Sequence, residues 1–532
     1  MELKGKLELT WVGKYDTKVV EPRILMEDHN KSYGDPLSKN MVIHGDNLIA
    51  LQALQQDFAG QIKCIYIDPP YNTKSAFESY DDDLEHSIWL GLMRDRLTLL
   101  WSLLTDDNGV LLISINDDEC HYLKVLCDEL FGRSKFIASL IWNYEGNTDN
   151  TAKIINYHEY ILVYSKTGVI DNPHVIDPNI SEDSKLFNDT IRNTIIKNGI
   201  KNPPVKVFIP RGFPCAFSEG VIEKKNVQFP QYSDDIIVAN GKTQNDVYAT
   251  TGWSSRALLE QYISNSCNSI IDSKGQVTHF EMKATGAIEV VKERKNEKGH
   301  FVSVLRGFGT TNQMRLLLGK MGLKFSYPKP VNLIKYLIDA FTTDDDYVLD
   351  SFAGSGTTAH AVLDLNLEKQ TNRKFILVER SNQSVNDVIL PRLRAVIDGC
   401  DIADVTATGG GYHFYELAPS LLVKNQRLPI YQVNPEYTFE MLCEAICKIE
   451  GFKYKPDGIY HGYSSEQRYI HITKEFVNGE YIRSIATTLG ENQSLLVYST
   501  KVQSDLRLPD NIEVKRIPKD LLDKCTFESE VR

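Results

Sequence analysis

Apolar positions between residues 41 and 166 follow two alternating rhythms. Short unbroken runs, Met41-Val42-Ile43-His44, Ile62 to Ile67 and Val110 to Ile115, have the length and composition of buried strands. Between them Leu48, Leu51 and Leu54 repeat at helical spacing. The segment Ser87 to Leu104 carries apolar residues at 88, 89, 92, 93, 97, 99, 100 and 103, which predicts a buried helix. This alternation predicts a parallel sheet covered by helices. It breaks over about 167–300, where Asn, Pro and Gly interrupt the periodicity and only short strand candidates such as Val205 to Ile209 appear. The α/β pattern resumes near residue 312, with a helix over about Asn332 to Phe341, a strand Tyr347 to Asp350, a glycine-rich turn into a helix, and a strand Lys374 to Glu379. Gly409-Gly410-Gly411 reads as a linker. Beyond it, a helix near Phe439 to Ile449 and strands near 469–472, 494–498 and 512–516 predict a smaller α/β region. The expected division is 1–40 as an N-terminal extension, 41–166 and 305–405 as two halves of one core, 167–304 as an insert and 412–532 as a C-terminal domain.

Composition narrows the class. At roughly 150 residues per domain, 532 residues make two to four units, and 42% hydrophobic with 24% charged residues is ordinary for a globular protein. No apolar run approaches the ~20 residues of a spanning helix, and Met1 to Lys6 lacks the apolar stretch of a secretory signal, so a cytoplasmic protein is expected. The nine cysteines, at 64, 120, 127, 215, 267, 400, 443, 447 and 525, form no CxxC pair. No second cluster completes zinc ligation, so reduced, mostly buried thiols and no metal are expected. A net charge of −12 argues against coating nucleic acid by charge alone, yet leaves room for a local basic cleft.

Two segments carry chemistry. In Ile65-Tyr66-Ile67-Asp68-Pro69-Pro70-Tyr71-Asn72, two prolines directly after an apolar strand stiffen an extended backbone that has no amide hydrogens to donate. An acid before Pro69 and Pro70 and an aromatic after them form a pocket suited to a planar base with an amino group. Asp68 and the Pro69 carbonyl accept the two N–H hydrogens and Tyr71 stacks on the ring. Accepting both hydrogens frees a lone pair otherwise delocalised into the base. The competing reading is an ordinary strand-to-loop turn. The second segment, Asp350-Ser351-Phe352-Ala353-Gly354-Ser355-Gly356-Thr357, joins a strand to a helix through a Gly-x-Gly turn that lets a ligand approach the backbone. A phosphate loop is excluded because Gly356-Thr357-Thr358 has no lysine, and a dinucleotide fingerprint is disfavoured by Ala359 at its third glycine position. Glu379 ends the next strand, where an acid can accept both hydroxyls of a ribose or be a capped surface carboxylate.

DPPY followed downstream by FxGxG resembles the β-class, circularly permuted amino-methyltransferases of DNA. Other segments match too. His44-Gly45-Asp46-Asn47-Leu48 is similar to the family's GDNL-type segment, whose acid lies near the cofactor adenine. Tyr327-Pro328-Lys329-Pro330 with Leu333 resembles the motif that closes over the methionine part of the cofactor. His158 to Tyr164 and Phe131-Gly132 resemble stretches of the modification (Mod) subunits of type III restriction-modification systems. The resemblance spans about 41–166 and 305–380. It implies a doubly wound, mostly parallel, seven-stranded Rossmann-like sheet that binds S-adenosyl-L-methionine and requires no metal. Asp68, Pro69, Pro70 and Tyr71 are then catalytic. The implied cofactor residues are His44, Asp46, Asn47, Lys329, Pro330, Asp350, Phe352, Ala353, Gly354, Ser355, Gly356, Thr357 and Glu379.

The implied reaction is methylation of adenine N6 in double-stranded DNA, since DPPY rather than SPPY leans towards adenine over cytosine N4. RNA or protein-glutamine methylation and a noncatalytic scaffold are the rivals. The implied partners are DNA, a second copy of the chain and a restriction (helicase-nuclease) subunit or another defence protein. Residues 167–304 occupy the slot of a target-recognition domain, where Arg211, Trp253 and Arg256 are as easily structural as DNA contacts. The polar run Lys292 to Lys298 reads as a solvated hairpin tip at least as readily as a DNA contact.

Overall fold

An all-apolar run hides both its faces only in the middle of a sheet covered on both sides, and the buried runs form such a sheet. The first half of the core contributes β1 (Met41–His44), α1 (Asn47–Phe58), β2 (Ile62–Ile67), α2 (His86–Leu103), β3 (Val110–Ile115), α3 (Cys120–Phe131), β4 (Phe136–Asn143) and β5 (His158–Ser165). The second contributes α4 (Val331–Phe341), β6 (Tyr347–Asp350), α5 (Thr357–Lys369), β7 (Lys374–Glu379), α6 (Leu390–Asp398) and β8 (Gly411–Leu417). The computed structural model describes residues 8–16, 20–72, 85–144, 156–171, 173, 175–181, 183–184, 187–273, 275–293, 300–464 and 467–527. Arg294 to Lys298 of the polar run therefore lie outside the described residues.

In the main sheet the order is β8-β1-β7-β6-β2-β3-β5-β4. Five of these, β1, β2, β3, β6 and β7, are strands the apolar runs predict; of the seven from β1 to β4 all are parallel except β5, which runs antiparallel to β3 and β4. The two sequence halves meet at its centre, where β6 pairs with β2 (Leu349 opposite Ile65). Seven strands were expected, and among the described residues the sheet has eleven. β8 joins β1 in parallel, Leu25–Glu27 and Tyr33–Gly34 pair with β8, and Val304–Leu305 pairs with β4. Residues outside the expected core thus occupy edges that would otherwise expose unpaired backbone. The Gly409-Gly410-Gly411 triplet is not a linker but the entrance to β8. A Cβ on Gly411 would stand 2.3 Å from Asp35 N, so glycine here lets the two backbones meet.

Helices cover the sheet largely with the residues their spacing assigns, although Ile88, at the first turn of α2, is exposed. Trp89, Met93, Leu97 and Leu100 of α2 are fully buried, and Asp46 caps α1 by accepting from Leu48 N at 2.9 Å. After β8, a five-stranded sheet begins at Lys453–Asp457 and includes Arg468–Val477, Ser494–Val502 and Ile512–Arg516. The helix Phe439–Glu450 packs there with Cys443 and Cys447 buried.

The chain folds as two compact units, Met1–Pro173 with Val302–Arg532, and His174–Phe301. The second is built of short antiparallel strands, among them Val205–Ile209 against Val247–Thr251 and Val277–Met282 against Ile288–Glu293. Phe213, Trp253, Tyr262 and Phe280 lie in its core. No described helix is long and apolar enough to cross a membrane.

Candidate active site at the strand ends

Between β6 and β2 the chain changes direction: β6 continues leftwards to β7 and β2 rightwards to β3, so the following loops diverge at their carboxyl ends, the position at which such sheets bind ligands. Most of the singled-out residues gather at this end. β1 ends at His44 and leads into Asp46 and Asn47, β7 ends at Glu379, β6 at Asp350, and β2 delivers Asp68.

On the β2 side, Asp68, Tyr71, Lys329 and Glu159 interlock. The Tyr71 hydroxyl lies 2.7 Å from Asp68 Oδ1 and 3.0 Å from Glu159 Oε2. Lys329 Nζ donates to the phenol oxygen at 2.8 Å and stands 3.0 Å from both carboxylates. Its ammonium also sits 4.9 Å from the centre of the Tyr71 ring. Burial works against the charged lysine, but Asp68 and Glu159 outweigh it and hold its pKa above the ordinary range. Burial, with the same two carboxylates, pushes the Tyr71 pKa well up, so the phenol stays protonated. Pro69 is buried, and the Pro70 carbonyl accepts from Trp89 Nε1 at 2.9 Å. Asn72 adopts a left-handed conformation (φ 58°), its side chain donating to Glu119.

On the β6 side, the Phe352–Gly356 turn is held from both faces. Asp350 accepts from Phe352 N at 3.0 Å and from the Thr358 hydroxyl at 2.5 Å. Burial raises the Asp350 carboxyl to about 7, with Asp68 and Glu379 adding to the rise and the two donors opposing it. Glu379 accepts the backbone amides of Gly354 and Ser381, each at 2.8 Å, and is almost wholly buried. It is thus a brace between two turns, not a surface carboxylate. Gly354 and Gly356 have φ of 54° and 76°, a region side chains rarely adopt. From behind, the fully buried Arg392 donates to Ser355 O, Ser355 Oγ and Thr357 Oγ1 at 2.9–3.0 Å. Burial lowers its pKa to about 9.

The remaining expected residues are distributed around these two clusters. Asn47 donates to Ser351 O at 2.8 Å, and Arg96 bonds Asn47 and stands 3.3 Å from Asp46. His44 faces Glu416 of β8 at 2.7 Å. Lys329, expected over the cofactor, has its ammonium on the Asp68 side, while its carbonyl accepts from Thr357 at 3.3 Å. Pro330 caps α4. In the insert, Trp253 is a core residue donating to Val205 O, whereas Arg211 and Arg256 are exposed.

The residues present fit a nucleoside-bearing cofactor. The backbone turn is bare at two glycines and carboxylates stand at four strand ends. Ser351 Oγ is buried without a hydrogen-bond partner among the described residues. Two functional candidates escaped the motif reading. Glu159 lies in the His158 to Tyr164 segment, but no spacing ties it to Asp68. Arg392 follows the glycine turn by a full helix-strand-helix.

An α/β sheet with an acid-Pro-Pro-aromatic loop beside a Gly-x-Gly turn defines the class. The chain belongs to the DNA methylase family, whose model matches residues 62–389. It is 30% identical over 427 residues to the type III restriction-modification enzyme EcoPI Mod subunit of Escherichia phage P1, covering 71% of this chain and 64% of that one. To the EcoP15I Mod subunit of Escherichia coli it is 26% identical, over 80% and 73% of the two chains. To the type II methyltransferase M.KpnI of Klebsiella pneumoniae it is 27% identical, over 69% and 90%. The chain spans 64%, 57% and 58% of the first three type III Mod subunits it matches. Among solved structures, PvuII DNA methyltransferase (cytosine-N4-specific) aligns over 73% of this chain and 95% of its own, at 12% identity and a TM-score of 0.34.

Proposed function

We propose that this protein methylates N6 of adenine in double-stranded DNA, with S-adenosyl-L-methionine as donor, in a restriction-modification or related defence system. The observation that supports it most is the Asp68 carboxylate at the end of β2, one strand from the Phe352–Gly356 turn, with Tyr71 beside it. The family's mostly parallel sheet is then the seven strands β1 to β4, a permuted Rossmann-like order in which the glycine turn follows the acceptor loop in sequence. The Mod relatives favour a type III role, with residues 167–304 selecting the sequence and a second copy and a restriction subunit as partners.

When bound, the cofactor supplies an electrophilic methyl group on a sulfonium. Asp350, Asn47 and Glu379, with the turn they brace, would hold it. Pro69 and Pro70 fix the backbone from which Asp68 and the Pro69 carbonyl accept the amine hydrogens of an adenine flipped out of the duplex, and Tyr71 supplies a ring for it to stack on. The amine nitrogen would take the methyl as the C–S electron pair returns to sulfur, and one amine hydrogen would leave as a proton to solvent past the part-exposed Asp68. Positioning two substrates and accepting the amine hydrogens supplies most of the acceleration. Incubating the protein with tritiated S-adenosylmethionine and duplex DNA, then digesting to nucleosides, tests the reading. N6-methyladenine is expected, with at least about 100-fold lower kcat/KM for Asp68→Ala. Label in N4-methylcytosine, in RNA or in protein would replace it.

A further inference from the structure

Hydrogen bonds around Tyr71 cannot all be made at once. A phenol has one hydrogen and a carboxylate only accepts, yet that hydrogen has two acceptors in reach, Asp68 Oδ1 at 2.7 Å and Glu159 Oε2 at 3.0 Å. The phenol oxygen itself accepts from Lys329, and the same ammonium bridges the two carboxylates. Two arrangements follow. With the hydroxyl turned to Asp68, Oδ1 is occupied by two donors. With it turned to Glu159, Asp68 Oδ1 keeps only the lysine. One rotation about the Tyr71 C–O bond interconverts them, and the ring need not move.

We propose that Glu159 is a positioning residue that takes the Tyr71 hydroxyl when the target amine arrives and so frees Asp68 to accept the amine hydrogen. This rests on the reading of Asp68 as the amine's acceptor. The exchange conserves hydrogen bonds: an amine N–H replaces the phenol O–H on Asp68, and the O–H moves to Glu159. Without an acceptor at 159, the hydroxyl stays on Asp68 Oδ1 beside the lysine, and a carboxylate already holding two donors is a weaker acceptor for the amine hydrogen, in a site where the Asp68, Glu159 and Lys329 side chains are only 24%, 17% and 10% exposed. Lys329 keeps the two carboxylates from repelling each other in either arrangement. Glu159 reaches the site because β5 is antiparallel, so the start of this strand lies where its parallel neighbours end; it pairs there with Trp142, whose ring centre is 5.8 Å from the Lys329 ammonium.

Wild type and four variants are compared in the tritium-transfer assay on duplex DNA, with calorimetry of S-adenosylmethionine binding: Glu159→Leu, Glu159→Gln, Tyr71→Phe and the double variant Glu159→Leu/Tyr71→Phe. Leucine keeps the bulk and removes the acceptor, so kcat is expected to fall about 10- to 100-fold with the cofactor Kd unchanged. Glutamine, which offers a carbonyl oxygen to the hydroxyl, restores most of the rate. The double variant is faster than Glu159→Leu alone, because no hydroxyl then competes for Asp68. A structural role does not produce that reversal. Wild-type kcat in Glu159→Leu, a double variant slower than it, or loss of cofactor binding in it each overturns the proposal. A wild-type protein that transfers no methyl to adenine overturns the parent reading instead.

Discussion

Asp350 shows how one buried residue joins fold to site. Its carboxyl titrates at about 7 because the β6 end withdraws it from water, with Asp68 and Glu379 close by. In the unfolded chain it titrates near ~3.9, so between these values the folded protein holds a proton that the unfolded chain has released. Its contribution to stability is therefore complete below the ordinary carboxylate range and lost as pH rises towards and past 7. Asparagine can keep both contacts, accepting from Phe352 N and donating to Thr358 Oγ1, without a charge. Thermal denaturation of Asp350→Asn and wild type from pH 4 to 8.5 should show the variant gaining steadily, with its largest advantage at the alkaline end. A difference that stays flat with pH would mean Asp350 is not protonated in the fold. This behaviour was not readable from the Val-Leu-Asp-Ser string: an aspartate before a turn looks the same whether wet or buried.

The turn between β6 and α5 is legible at the level of the element. Gly-x-Gly after an apolar strand announces left-handed backbone, and Gly354 and Gly356 both adopt it. A Cβ on Gly354 would also stand 3.4 Å from the Phe325 ring. Gly354→Val is therefore expected to abolish S-adenosylmethionine binding in calorimetry while leaving the rest of the sheet folded by circular dichroism; unchanged affinity would move the cofactor site elsewhere. Two things about these elements were hidden. Arg392, which clamps Ser355 and Thr357 from behind, sits in a helix whose pattern says only that it is amphipathic. The antiparallel direction of β5 likewise has no signature in His158–Ser165, and that direction alone brings Glu159 to the acceptor cluster.

At the scale of the whole molecule, the proposed labour divides between the sheet, which would handle the flipped base and cofactor, and the strand-rich unit His174–Phe301, which contains none of the cofactor or acceptor residues. Sequence choice requires side chains on base edges, and Arg211 and Arg256 are exposed on that unit. Exchanging residues 167–304 for those of a related enzyme is expected to change which adenines are methylated, while the modified atom remains N6. Sequencing of methylated positions checks this, and an unaltered motif would place recognition elsewhere, with the region after Gly411 as the next candidate. The alternation of apolar runs and helical stripes by itself determined the strands β1, β2, β3, β6 and β7 and the helices between them, because burial of a run and its length are local properties. The DPPY and Gly-x-Gly strings were equally local, since prolines and glycines dictate backbone at their own positions. Tertiary structure alone decided that β8 and two N-terminal strands extend the sheet, that the glycine triplet is a packed entrance and not a linker, and that Lys329 and Glu159 meet across 170 residues at one tyrosine hydroxyl. Such meetings depend on strand order and direction, which arise from how the elements cover one another's apolar faces, and no segment of the chain carries that information alone.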